Sequence, residues 1–150
     1  MQTNVKIRPM AIADYEQVYT LWLNTPGIGL NNLDDSEDGI TKYLTRNPNT
    51  CFVAEKDGYI VGVILCSNDG RRGYIHHAAV SQDERRGGIG TALVNAAMSA
   101  LEREGITKVA LVAFAQNEIG NAFWEKQGFT TRPDLLYRNR VIAEHKIICP

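Results

Sequence analysis

No run of apolar residues in this chain approaches the roughly 20 needed to cross a bilayer. The opening MQTNVKIRPM has none of the apolar core of a secretory leader. Membrane attachment is therefore not expected. Cysteine is scarce: Cys51, Cys66 and Cys149 are the three, widely spaced and without a Cys-x-x-Cys pair. That odd number gives no disulfide framework, and the three histidines do not complete a zinc-ligand spacing with them. Cys51 and Cys66 fall in strand-like runs and read as buried free thiols, which makes a reducing cytoplasm the expected location. An excess of either charge is missing too. The 16 Lys and Arg against 17 Asp and Glu leave a net charge of −1, so nothing points to nucleic acid. Repeats, low-complexity tracts and linkers are absent. The 150 residues read as one domain, 1–150, and 44% hydrophobic content suffices for one core.

What is present is concentrated in Tyr74 to Leu101, YIHHAAVSQDERRGGIGTALVNAAMSAL. Tyr74 to Val80 is β-branched and aromatic and reads as a strand. Ser81 to Asp83 ends it. From Thr91 the spacing of Leu93, Val94, Ala97 and Leu101 is helical, and Gly105 stands where a helix end takes a left-handed residue. Between them lies Arg85-Arg86-Gly87-Gly88-Ile89-Gly90. Glycine costs a helix about 1 kcal/mol against alanine, so three of them at a helix entrance need a reason. They bare the unpaired N–H groups of the first turn, where the helix dipole favours an anion. Two arginines add bidentate donors for phosphate oxygens. A pyrophosphate cradle is the chemical reading; a solvated basic turn is the plain one.

The known nucleotide loops fit poorly. The lysine of a P-loop is missing. Of the GxGxxG pattern, Gly88 and Gly90 are present, but Leu93 replaces the third glycine and no acidic residue ends the next strand. A nucleotide-phosphate binder of another kind remains an alternative.

In order, the chain reads as a strand Val5 to Arg8, a helix through Tyr15, Val18, Tyr19 and Trp22 with Asp14 and Gln17 as a capping box, and an irregular loop NTPGIGLNNLDD. A second helix runs from a Ser36 cap through Arg46, with Ile40, Tyr43 and Leu44 inward. Strands Thr50 to Glu55 and Tyr59 to Cys66 are joined by Lys56-Asp57-Gly58, a hairpin signal. After the long helix come a strand Lys108 to Ala113, a helix Glu118 to Lys126, and last strands Phe129 to Arg132 and Leu136 to Ile142. Strands flanking a crossover helix lie parallel if they pair, so the sheet is expected to be mixed.

Two motifs together resemble the GNAT superfamily of acetyl-CoA-dependent N-acetyltransferases. Arg85-Arg86-Gly87-Gly88-Ile89-Gly90 matches that family's Gln/Arg-x-x-Gly-x-Gly/Ala. NEIGNAFWEKQGF, from Asn117 to Phe129, matches its second motif in the spacing of Asn117, Phe123-Trp124 and Gly128-Phe129. The resemblance implies an α/β (α+β) GNAT fold: a mixed, mostly antiparallel sheet of about seven strands, helices on both faces, splayed between the fourth and fifth strands. It implies acetyl transfer from acetyl-CoA to an amine. The cofactor would be held by Ala79, Val80, Arg85, Arg86, Gly87, Gly88, Ile89, Gly90, Thr91, Asn117 and Phe123, with a backbone N–H near Ala79 and Val80 facing the developing oxyanion. Asn117 also reads as a plain helix cap.

A protonated amine needs a base. His76 is the candidate, since its ordinary pKa near 6.5 suits proton uptake; packing at the sheet face is the competing role. Strand alternation places Tyr74 and His76 on one face and His77 on the other. One departure from the family matters. Its usual tyrosine acid is Trp124 here, and an indole cannot release its proton. Tyr137 could serve instead, or the thiolate could leave unprotonated. The substitution keeps a non-catalytic acyl-CoA sensor as the alternative function. The acceptor, a small molecule or peptide amine, would meet Trp22, Asn31, Asn32, Trp124, Tyr137 and the acidic Asp34 and Asp35. The number of copies is open, a homodimer among the options.

Overall fold

The computed structural model describes residues 4–149. Strands β1 (Val5–Pro9), β3 (Phe52–Lys56), β4 (Tyr59–Asn68), β5 (Gly73–Val80) and β6 (Val109–Leu111) form a five-stranded sheet in the order β1-β3-β4-β5-β6. The first four pair antiparallel; β5 and β6 pair parallel across the crossover helix. Two short strands, β2 (Leu30–Asn31) and β7 (Ile147–Cys149), pair separately. The helices are α1 (Tyr15–Leu23), α2 (Glu37–Arg46), α3 (Ile89–Arg103) and α4 (Glu118–Lys126).

Strand alternation sorts the core onto two faces. Val53, Val63 and Leu65 pack with Val18, Leu21 and Trp22 of α1 and Ile40 of α2. Ala54, Ile64 and Cys66 pack with Leu93, Val94, Ala97 and Leu101 of α3, and Phe123 of α4 joins that side. The hairpin β3–β4 turns on Asp57 and Gly58, both at positive φ (52° and 83°), as a two-residue turn matched to the strand twist requires. Ser36 caps α2 by accepting the Gly39 N–H at 3.0 Å. Burial pushes the thiols of Cys51 and Cys66 up to about 12, so both stay protonated and inert at neutral pH.

Two expectations fail here. Asp14 and Gln17 form no capping box with each other. Asp14 instead takes two hydrogen bonds from the Arg8 guanidinium (2.9 and 2.8 Å) and one from the Ala11 N–H (2.9 Å). Gln17 accepts the Ile60 N–H at 2.9 Å and ties α1 to β4. Phe129 to Arg132 and Leu136 to Ile142 are not strands; the arm from Thr130 to Lys146 runs exposed, with no partner strand among the described residues. Their apolar pattern suits a strand, but a strand exists only where a neighbour supplies the ladder.

Burial acts to raise the Asp14 carboxyl, yet the Arg8 and Ala11 hydrogen bonds outweigh it and hold it below its ordinary 3.8. A depressed acid stabilises the fold above its unfolded pKa, and that contribution is lost as pH falls through the folded value. Asp14→Asn is therefore expected to cost roughly 2–3 kcal/mol at pH 7. The difference from the parent should narrow below about pH 4, as read by urea unfolding at both pH values.

Candidate functional site

The loop between β5 and α3 leaves a row of backbone donors uncommitted. Arg86 has φ 71° and Gly88, the residue capping α3, has φ 82°. Left-handed residues alternating with others turn successive N–H groups to one side, the concave arrangement that binds anions. Among the described residues, no N–H from Arg86 to Thr91 has a hydrogen-bond partner. Arg85 and Arg86 are exposed and make no ion pair among the described residues. A Cβ placed on Gly88 meets nothing within 4 Å, so the space beyond that backbone is open. The donors therefore fit a diphosphate. Gly90 has a different cause: a Cβ there would lie 3.0 and 3.1 Å from the Phe123 ring. Phe123 thus sits on the first turn of α3, and Gln127 donates to Thr91 Oγ1 (2.9 Å), fastening α4 beside the same turn.

The cradle opens onto a gap in the sheet. β5 and β6 pair only from Gly73–Val109 to Ile75–Leu111, and beyond that the strands part. Ser81 donates to the Val61 carbonyl at 2.8 Å. Ladder alternation then turns the Val80 N–H away from β4 and toward the gap, while Ala79, buried, faces β4. Asn117 caps α4 by accepting the Gly120 N–H at 3.0 Å. Its carboxamide lies close against both Gly27 and Gly120. Asn117 Nδ2 has no hydrogen bond among the described residues, so cap and ligand donor are compatible.

Opposite the cradle, β5 carries a bulge. Leu65 pairs with His77 and Cys66 with Ile75, so His76 is an extra residue. A bulge interrupts alternation. His76 and His77 therefore both face α1 and α2, and the expectation of opposite faces is corrected. His76 Nδ1 lies 2.8 Å from the Tyr43 hydroxyl, with the rings edge to face. His77 Nε2 lies 2.8 Å from Asp35 Oδ1, whose other oxygen accepts the Asn31 N–H at 2.9 Å. Burial, and then His77, lower the His76 pKa from 6.5. Burial raises Tyr43 far enough to keep it protonated at any working pH.

These groups line an open cleft of about 2090 Å³, with Asp34, Tyr43, His76 and His77 on one wall and Trp124 and Tyr137 on another. Trp124 is half-buried between Phe123 and Phe129 (5.0 and 5.3 Å between ring centres). Tyr137 is exposed. Trp22 lies elsewhere. It is fully buried, packs edge-on against His77 and cannot meet an acceptor; its Nε1 has no partner among the described residues. Asn31 lines the cleft, whereas Asn32 pairs with the Lys146 backbone and fastens the arm. Sequence reading assigned no joint role to Asp35, Tyr43 and His77; their distances along the chain hid it.

The model of the Acetyltransferase (GNAT) family matches residues 15–129. An acetyltransferase of Photorhabdus laumondii is 30% identical over 148 residues, covering 95% of this chain and 99% of that protein. One of Yersinia enterocolitica is 28% identical over 142 residues, covering 95% and 99%. Among solved structures, Ard1 from Thermoplasma volcanium superposes with a TM-score of 0.75 at 25% identity, over 84% of this chain and 82% of that one. AAC(6')-Iy bound to a bisubstrate analogue of CoA and acetylneamine gives 0.69 at 21% identity, over 93% and 100%. No helix among the described residues is long and apolar enough to cross a membrane. With its motifs, its splayed mixed sheet and these relatives in agreement, the chain belongs to the GNAT family of N-acetyltransferases.

Proposed function

We propose that this chain acetylates a primary amine on a small molecule or peptide, with acetyl-CoA bound along the gap between β5 and β6. The observation that carries the reading is the row of bare N–H groups from Arg86 to Thr91 beside a sheet gap that begins at His76, just past the last β5–β6 pair, and that the Val80 N–H faces. Acetyl-CoA supplies an acetyl group activated as a thioester. The amides and Arg85 and Arg86 hold its diphosphate, Asn117 Nδ2 meets a carbonyl of its arm, and Phe123 lines its path. The Val80 N–H favours negative charge developing on the acyl oxygen.

His76 takes the proton that the amine must lose. In the tautomer that does so, Nδ1–H donates to the Tyr43 oxygen and Nε2 is free to accept. The Tyr43 ring packs edge to face on the imidazole as well, so the ring is held from behind. A lowered pKa keeps His76 neutral, hence ready, at neutral pH. Asp34 at the cleft favours a cationic acceptor. The relative holding a CoA–acetylneamine analogue is consistent with an amine there. Trp124 donates no proton, so CoA leaves as a thiolate, whose ordinary pKa near 8.5 permits it.

A thiol-release assay with acetyl-CoA and a panel of lysine peptides, free N-terminal peptides, polyamines and aminoglycosides tests this. At least one amine is expected to release CoA thiol above the rate of hydrolysis. Tight CoA binding with no turnover on any amine would favour the non-catalytic sensor.

A further inference from the structure

The cleft changes charge along its length. Near the N-terminus of α2 it is acidic: Asp34 and Asp35 line it, Asn31 Nδ2 donating to Asp34 Oδ2 (2.9 Å) and His77 lying on Asp35. Its far end is basic. Lys42 and Arg46 share one face of α2, Arg72 lies in the turn between β4 and β5, and Lys108 precedes β6. Two hydrogen bonds gather these segments. The Asn68 N–H donates to Asn47 Oδ1 (3.0 Å), and the Gly73 N–H donates to the Lys108 carbonyl (2.9 Å). All four bases are exposed, line the cleft and make no ion pair among the described residues. Of the acids nearby, Asp69 is committed to the N–H groups of Arg71 and Arg72 (2.8 Å each). Glu104, bonded to Asn68 Nδ2 (3.1 Å), does not line the cleft, and Glu125 lines it from α4. Like charges four apart on a helix cost stability. The helix dipole accounts for Arg46 in the last turn, but not for Arg72 or Lys108 on other elements.

We infer that the acceptor carries an anionic group, a carboxylate or a phosphate, on the order of 10 Å from its amine, and that Arg46, Arg72 and Lys108 hold it. The place of the amine, between Asp34 and His76, rests on the acetyl-transfer reading. Gly73, at the basic end, is three residues from His76, roughly 10 Å of strand. Tyr74 lies between them, its ring centre 4.6 Å from that of His76, and gives the connecting part of the acceptor an aromatic floor. A free α-amino acid, whose carboxylate sits beside its nitrogen, is too short to reach both ends. An aminoalkyl phosphate, or a peptide with carboxylates at its third and fourth residues, is long enough. A polycationic amine is drawn by Asp34 but meets like charge at Arg46 and Arg72. Selection is therefore by repulsion as well as attraction.

Calorimetry on the chain, with and without saturating CoA, compares aminohexyl phosphate with aminohexanol, and the peptide amide Ala-Ala-Glu-Glu with Ala-Ala-Gln-Gln. The anionic member is expected to bind about 10-fold tighter in low salt, which two or three exposed ion pairs supply. The gap should shrink several-fold at roughly 500 mM salt. A preference confined to the first pair assigns the anion to a small phosphate, and one confined to the second to a peptide carboxylate; either supports the inference. Arg46→Gln with Arg72→Gln is expected to erase the preference with unchanged far-ultraviolet circular dichroism. Equal affinities, or no measurable binding, in both pairs would overturn the inference. So would a preference that survives in the folded variant. If the variant does not fold, the parent's salt dependence decides: a preference indifferent to salt overturns it. Thiol release on the same amines separates the two readings. Preference without turnover removes acetyl transfer alone; turnover without preference removes the anion site alone.

Discussion

Gly88→Val is expected to weaken coenzyme A binding by at least about 100-fold, roughly 2.7 kcal/mol, while the chain stays folded. Gly88 sits at φ 82°, where a side chain costs about 1–2 kcal/mol and a β-branched one more. The loop relieves that strain by rotating, which swings the Gly88 and Ile89 N–H groups off the cradle. Whatever strain remains puts Cβ into the space now open beyond the backbone. Isothermal titration with CoA measures the loss. Gly90→Ala is the control, because its Cβ meets the Phe123 ring at 3.0 Å rather than open space. It is expected to cost stability, about 1–3 kcal/mol, before it costs affinity. Unchanged CoA affinity in Gly88→Val would mean that the diphosphate lies elsewhere, and the acetyl-transfer reading would lose its main support.

His76→Ala is expected to lower kcat/KM about 100-fold at pH 7, the lower end of what a positioned base contributes. The deficit should shrink to a few-fold near pH 10, where the amine, with an ordinary pKa near 10.4, already loses its own proton. The parent's rate should rise across the acid range with an apparent pKa below 6.5, because burial, and then His77, lower His76. Tyr43→Phe removes the oxygen behind Nδ1 and should move that apparent pKa, with a smaller loss of rate. A loss in His76→Ala that is equal at every pH would make His76 a packing residue. The proton would then go to water, or to His77 on its Asp35 partner.

Much of the architecture was legible in the residues because the signals are local. The Asp57-Gly58 hairpin, the Ser36 cap, the helix Glu118–Lys126 and the glycine turn that opens α3 are each written in a few adjacent positions. The bulge at His76 was not legible. It arises from the register of β5 on β4, and the local pattern of Tyr74, His76 and His77 gives no sign of the slip. One extra residue moves a histidine to the other face. Trp22 looked like a wall of the acceptor site; tertiary packing put it wholly inside, under His77.

The sequence by itself determined the family, the Gly-rich turn at the entrance of α3 and the departure at Trp124, since motifs of adjacent residues need no distant partner to be recognised. Only the tertiary structure decided that both histidines share a face, that Asp35 and Tyr43 reach them, and that the last apolar segment leaves the sheet. The reason is that register, burial and strand pairing are relations between segments far apart in the chain. Their energies depend on which neighbour is present, and no short stretch of residues carries that information.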